Sequence, residues 1–310
     1  MPRISHNVAG PVLVLAAAAL GACSVQRLAV NSISDVLAAD GTVFESDPDP
    51  ELVGEALPFA LKLMESLLAQ QPEHRGLLLA AARGFVLYGY AYVDLPAQQA
   101  GPEEGLEQIR ALRRRARDLF LRGHGYALRA LAIDYPGIGE QLRADPAEAA
   151  AAIGGSAESV ERDVPAMYWT AVSLGLAISS ARNEPQLLAR LPEVEALLGR
   201  ALILDEPWNR GSLHELALSL AAAGTSRTDP AVLERHYRRA LELSAGRRAS
   251  LFVTYAESSA VPRQDREAFV ELLRQALAID VDAYPSDRLV NVIAQQRAEW
   301  LMQHIDELFL

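Results

Sequence analysis

"LRALAIDYP" (128–136), "GRALILDEP" (199–207) and "RQALAIDVD" (274–282) are three forms of one phrase. In each, a small residue is followed by leucine, a short apolar run and an acidic or proline stop. Looser copies, "MESLLAQQP" (64–72) and "RRALELSAG" (238–246), bring the number to five. Aligned on Ser66, Ala130, Ala201, Ala240 and Ala276, the copies are separated by 64, 71, 39 and 36 residues. Those separations lie near one or two multiples of a unit of roughly 34–36 residues, a period at which helical hairpins stack. The physics is simple: a small side chain lets two helices approach closely, and the polar or proline end stops one helix before the next begins.

The rest of the chain reads the same way. Ala and Leu dominate, and runs of alternating β-branched residues are absent. Asp49-Pro50, Asp145-Pro146 and Asp229-Pro230 each place a side-chain acceptor at the N-cap and a proline at the first helical position. Leu61, Met64, Leu67 and Leu68 share one helix face. Near the C-terminus Leu289, Val292, Ile293, Trp300 and Leu301 do likewise. The stretch 77–93 is apolar nearly all round apart from Arg83, as befits a buried central helix. The segment "IGGSAES" (153–159) reads as a surface loop. The period resembles the second helix of a tetratricopeptide repeat, whose first-helix signature is mostly missing here. The expectation is an all-α chain, a right-handed superhelix of degenerate tetratricopeptide-like hairpins, with an ordinary all-α domain as the alternative.

The N-terminal segment has a different character. Arg3 is followed by an apolar stretch from Val8 to Ala22, too short for the roughly 20 residues a spanning helix needs. It ends in Leu20-Gly21-Ala22-Cys23, which resembles the lipobox of bacterial lipoproteins. The reading is a signal peptide over 1–22 and one α-helical repeat domain over 23–310, lipid-anchored at Cys23. Cys23 is the only cysteine, so no disulfide could form and stability must come from the core. Net charge is −11, and −12 over 23–310 because Arg3 is the only charged residue removed. That balance argues against nucleic acid, whose binders need excess Lys and Arg.

A search for catalytic patterns finds none. His214-Glu215 is not followed by the second histidine of a zinc-protease motif, and neither a nucleophile-elbow serine nor a phosphate loop is present. No cofactor or metal is called for, and the chain does not read as an enzyme. Arg110, Arg113, Arg114, Arg115 and Arg117 form a basic face, either solvated or in contact with a partner. The aromatic residues carry more information. Tyr90, Tyr168, Trp169, Trp208, His214 and Tyr255 are the candidates for a ligand cavity or an interface. Amphipathic rings can line an apolar cavity whose few polar groups orient a ligand, or fill gaps between repeat helices.

Four stretches resemble the TRAP transporter T-component family: the segment from Val43 to Val93, "DVPAMYWTAVSLGLAIS" (163–179), "DEPWNRGSLHEL" (205–216) and the tail from Gln264 to Leu310. The resemblance runs in order over residues 24–310; one departure is "AAAGTSRTDP" (221–230), shorter and less glycine-rich than the family pattern. It implies a non-catalytic lipoprotein facing the periplasm; Ser24 behind the cysteine, rather than an aspartate, fits sorting to the outer rather than the inner membrane. It further implies a homotrimer that works with the periplasmic solute-binding subunit of a tripartite ATP-independent transporter, and the working expectation is that it holds or relays a small, partly hydrophobic solute, an organic acid being one candidate. The competing reading is a protein-interaction scaffold of the cell envelope with no small-molecule ligand.

Overall fold

The computed structural model describes residues 34–37, 43–101, 105–223 and 229–309. Cys23, with the whole of 1–22, and residues 224–228 of the stretch 221–230 lie outside them. Ten helices carry the architecture, and no strand occurs among the described residues. They are α1 (Pro50–Gln70), α2 (Arg75–Gly89), α3 (Leu106–Ala132), α4 (Ala157–Ser180) and α5 (Leu191–Asp205). They continue with α6 (Trp208–Ala223), α7 (Pro230–Ser244), α8 (Ala249–Tyr255), α9 (Arg266–Leu277) and α10 (Arg288–Gln303).

Each Asp-Pro pair starts a helix, as the sequence implies. Asp49 accepts from the amides of Glu51 and Leu52 at 3.0 and 3.1 Å. Asp145 accepts from Glu148 N at 3.0 Å and Asp229 from Ala231 N at 2.9 Å. Such caps satisfy amides that no helical carbonyl can reach and contribute about 1 kcal/mol each. The stretch 153–159 is a surface loop over 154–156, anchored at both ends by buried side chains. Ile153 is fully buried, and Ser156 and Ser159 form a reciprocal capping box that opens α4.

The five phrases close the odd-numbered helices α1, α3, α5, α7 and α9. Ala130, Ala201, Ala240 and Ala276 are all buried, which is the close approach their size permits. The first copy differs: Ser66 is exposed, its hydroxyl turned back onto the Lys62 carbonyl at 2.9 Å, and Leu67 and Leu68 fill the core beside it. The first long separation contains a single hairpin, and the second contains a long hairpin and a pair of short helices packed on each other. The first is taken up by α2, prolonged to Gln99, and by the 27 residues of α3. The second accommodates two short helices, Ile138–Ala144 and Pro146–Ala151, placed ahead of α4.

Most long helices pack on a sequence neighbour, and the even-numbered helices pack on one another in succession: α2 on α4, α4 on α6, α6 on α8, α8 on α10. This is the arrangement of stacked hairpins. The chain then closes on itself, because α10 returns to α1 and to the short helix Val43–Ser46. Leu289 and Ile293 pack with Val53 and Leu95, each no more than 6% exposed. Burying one such side chain stabilises by about 1.5–3 kcal/mol, so this seam is a substantial closure. Arg288 adds a bond from Nη1 to the Ser46 carbonyl at 2.8 Å. Helix 75–99 is long and apolar enough to cross a membrane. Over half of its most apolar window is nonetheless buried in the protein, and Arg83 within it pairs with Glu45 at 3.1 Å.

Candidate functional site

Two local distortions interrupt the helices that carry the polar groups of the candidate site. At Tyr90–Asp94 and at Ala256–Ala260 the helical path widens into a π turn. A π turn inserts one residue into the ladder and rotates the next turn of helix, and such turns recur at functional sites. Tyr90 opens the first, and Glu257 sits in the second.

Tyr90 defines the interior. It is 37% exposed, yet burial among protein atoms is the largest influence on its hydroxyl and pushes its pKa above the ordinary tyrosine value. Glu257, Asp94 and Glu215 add to that rise and Arg297 opposes it. Those four groups come from the π turn after α8, the π turn after α2, α6 and α10. Tyr90 thus keeps part of its surface open to solvent while charged groups from four elements act on its hydroxyl. Beside Arg297 the seam leaves a cavity of ≈ 240 Å³, bounded in part by Ala91, Tyr92, Leu95, Ile293 and Gln296.

The charged groups are tied to one another. Arg297, 8% exposed, donates from Nη2 to Glu257 Oε1 at 2.7 Å and lies 4.7 Å from the Trp300 ring centroid. Arg248 donates from Nη1 to Ser212 Oγ at 2.6 Å and Glu215 Oε2 at 3.1 Å, and from Nη2 to the Asn209 carbonyl at 2.8 Å. Ser250 donates to the other oxygen of Glu215. Burial raises the Asp94 carboxyl despite hydrogen bonds from Gln98 at 2.7 Å and Ser180 at 3.3 Å.

An aromatic group adjoins this network. Tyr168 lies 5.1 Å from Trp169, edge to face, and 4.8 Å from Trp208. Its hydroxyl is pushed up to about 12, by burial first and then by Glu215; Arg248 and Ser212 act against the rise. Glu215 therefore links the Tyr90 and Tyr168 ends of the interior. The turn that carries Trp208 into α6 is unusual: Asn209, Arg210 and Gly211 have φ of 45°, 55° and 88°. Left-handed backbone costs about 1–2 kcal/mol at a non-glycine residue, so the surroundings must hold it. Arg248 grips the Asn209 carbonyl, and Arg210 reaches Asp287 at 2.6 Å ahead of α10.

Of the six residues singled out in the sequence, the structure brings Tyr168, Trp169 and Trp208 into one cluster and sets Tyr90 apart, among Glu257, Asp94, Glu215 and Arg297. His214 and Tyr255 belong to other networks. His214 lies between α6 and α7, its Nδ1 2.9 Å from His236 Nδ1 and its Nε2 3.1 Å from Glu206. Tyr255 stacks on Tyr237 with centroids 3.9 Å apart and donates to Glu234. Sequence reading missed Asp94, Glu215, Arg248, Glu257 and Arg297. Arg297 left a signal, since Leu289, Ile293, Arg297 and Leu301 recur every fourth residue and a charge stands on the apolar stripe of α10.

The profile of a family described as "TRAP transporter T-component" matches residues 46–309. A protein of Treponema pallidum (strain Nichols), described as uncharacterized, is 31% identical over 304 residues, covering 93% of this chain and 93% of its own length.

Proposed function

The chain belongs to the TRAP transporter T-component family, and from that premise we propose that its interior holds or relays a small, partly hydrophobic solute for the transporter's periplasmic solute-binding subunit. Membership itself carries a role as an accessory component of a TRAP transporter in the bacterial envelope, a transport role rather than a catalytic one. The solute is our reading. One observation carries it: Tyr90 is open to solvent while groups from four elements enclose it. A core residue that merely filled space between hairpins would not keep a third of its surface free. The aromatic cluster of Tyr168, Trp169 and Trp208 supplies the apolar wall such a cavity needs.

The remaining parts of the proposal concern assembly. Acyl chains on Cys23 would hold the repeat domain to a membrane, the outer one in preference, because each buried methylene contributes about 0.8 kcal/mol and two or more chains make a lasting anchor. A homotrimer would present its hairpins to the solute-binding subunit. His214 and Tyr255 fit an interface or packing role better than a solute contact, given their partners.

Trp208→Ala tests the solute reading. Solute carried through purification, quantified by mass spectrometry after denaturation, should fall strongly in the variant. Unchanged retention with a lower melting temperature would assign Trp208 to packing and favour the scaffold reading.

A further inference from the structure

One flank of α1 carries an apolar stripe that the described residues leave open. Leu52, Phe59 and Leu63 are 54%, 75% and 37% exposed, and Ala56 is exposed beside them. The core takes other residues of the same helix, among them Leu57, Leu61, Met64 and Leu68. At 100° per residue the stripe also lies across the helix from Gly54, which meets Tyr92 of α2, and from Glu65, which accepts from Tyr126 of α3 at 2.7 Å. It is therefore the flank of α1 turned away from the hairpins that follow. The four exposed residues are spaced by four, three and four positions, the alternation of a coiled-coil seam. Ser66 and Gln70 continue the spacing with polar side chains, so the apolar seam ends at Leu63.

The residues bordering the stripe say what fits it. Glu55 and Lys62 stand along its solvent side, and Lys62 is 68% exposed beside Glu65 at 2.8 Å. Lay the α1 of a second copy antiparallel across the stripe, and Leu52 of each copy meets Leu63 of the other. The large Phe59 then meets the small Ala56, and Glu55 comes within reach of Lys62, every contact occurring twice. A parallel arrangement instead sets Phe59 on Phe59, Glu55 beside Glu55 and Lys62 beside Lys62. The surface is thus complementary to itself in size and in charge about a twofold axis, which is the property an isologous contact requires. The four side chains expose roughly 400 Å² per copy, a size at which an apolar patch marks an interaction site. Two copies facing each other cover roughly 800 Å², just below the area of a stable interface, so the contact is a reversible one.

We propose that this flank of α1 is a twofold contact between copies of the chain, with the two helices antiparallel, Phe59 at the centre and Glu55–Lys62 pairs at the rim. The contact is independent of the solute reading. A twofold axis makes assemblies even-numbered: two copies, or six where a threefold ring forms as well.

Sedimentation equilibrium of residues 24–310 across the micromolar range tests it; these residues keep every described element and lack the apolar stretch 8–22. The mass should rise with concentration toward an even number of copies. Phe59→Asp should raise the dissociation constant at least about tenfold and leave the melting temperature unchanged, because the side chain is exposed in a single copy. Glu55→Lys should weaken the association about fivefold by setting like charges together, and adding Lys62→Glu should restore it. A parent that stays monomeric, or a trimer whose mass Phe59→Asp does not change, would overturn the proposal. So would a Phe59→Asp variant that melts several degrees lower at concentrations where the parent is monomeric, since the stripe would then be covered by its own chain. Failure of the double charge variant to recover would overturn the antiparallel arrangement.

Discussion

Replacing Gly54 by Ala should destabilise this protein, although helix propensity alone says the reverse. Gly54 lies inside α1, where Ala would be favoured by about 1 kcal/mol. A Cβ at position 54, however, would stand 2.6 Å from Tyr92 Cε1 and 2.8 Å from Cδ1. Tyr92 cannot easily yield. Its hydroxyl donates to the Pro50 carbonyl at 2.6 Å, and its ring packs on the seam formed by Val53, Leu95, Leu289 and Ile293. Overpacking of this kind costs typically about 1–3 kcal/mol, and displacing the hydroxyl forfeits a further hydrogen bond of about 1 kcal/mol. Set against the propensity gain, the net loss is about 1–3 kcal/mol. For a chain of this size each kcal/mol lowers the melting temperature by about 2–4 °C. Thermal unfolding followed by circular dichroism should therefore show Gly54→Ala melting several degrees below the parent. In the Tyr92→Leu background the same substitution should be neutral or stabilising, giving a coupling energy above about 1 kcal/mol. A Gly54→Ala variant at least as stable as the parent would refute the tight seam, and with it the reasoning that closes the circuit between α1, α2 and α10.

Two single residues elsewhere give measurable outcomes of their own. His124 is 5% exposed, with Nδ1 3.1 Å from the Thr170 carbonyl and Nε2 3.0 Å from Arg190, and burial first, then Arg190, lowers it to about 4. The unfolded chain takes up that proton near pH 6.5 while the native one refuses it, so stability should fall as pH drops from about 6.5 toward 4. The limit is about 3 kcal/mol, and His124→Asn should flatten that part of a pH series of urea midpoints; an unchanged slope would place the dependence elsewhere. Gly211→Ala forces a side chain into φ of 88° and sets its Cβ 3.0 Å from Leu243 Cβ and 3.2 Å from Ala240 Cα. A loss of about 2 kcal/mol or more is expected by urea unfolding, and a neutral result would mean the turn relaxes without strain.

The odd-numbered helices were legible because each ends in a local signal. A small residue, a leucine and a polar or proline stop lie within nine residues of one another, and an Asp-Pro pair announces three helix starts along the chain. Closure of the circuit was not legible, since the bond from Arg288 to the Ser46 carbonyl joins residues 242 apart and leaves no mark on either local pattern. The pair Ile138–Ala144 and Pro146–Ala151 was only half legible, because Asp145-Pro146 marks the start of its second helix and no comparable signal marks the first.

At the candidate site, Tyr168, Trp169 and Trp208 stood out because aromatic side chains are scarce here, and scarcity made them conspicuous. The charged groups did not, because Glu215, Arg248 and Glu257 look in sequence like any solvated helix face, and their pairing with residues 33 and 40 positions away leaves no local mark. "YAYVD" and "AESSA" carry no residue pattern that demands a π turn. His214 was singled out within "SLHEL", yet it pairs with His236 of α7 while its neighbour Glu215 joins the Arg248 network. Residues adjacent in sequence on a helix point in different directions, so the histidine and the glutamate serve separate networks.

The most direct test of a solute-holding interior is native mass spectrometry of residues 24–310, exported to a bacterial periplasm and purified without detergent. Protomers should carry a small-molecule adduct of defined mass, released on collisional activation and lost in Trp208→Ala. A bare protein that gains no adduct after incubation with periplasmic extract would contradict that interior and leave the repeats as a surface for binding other proteins.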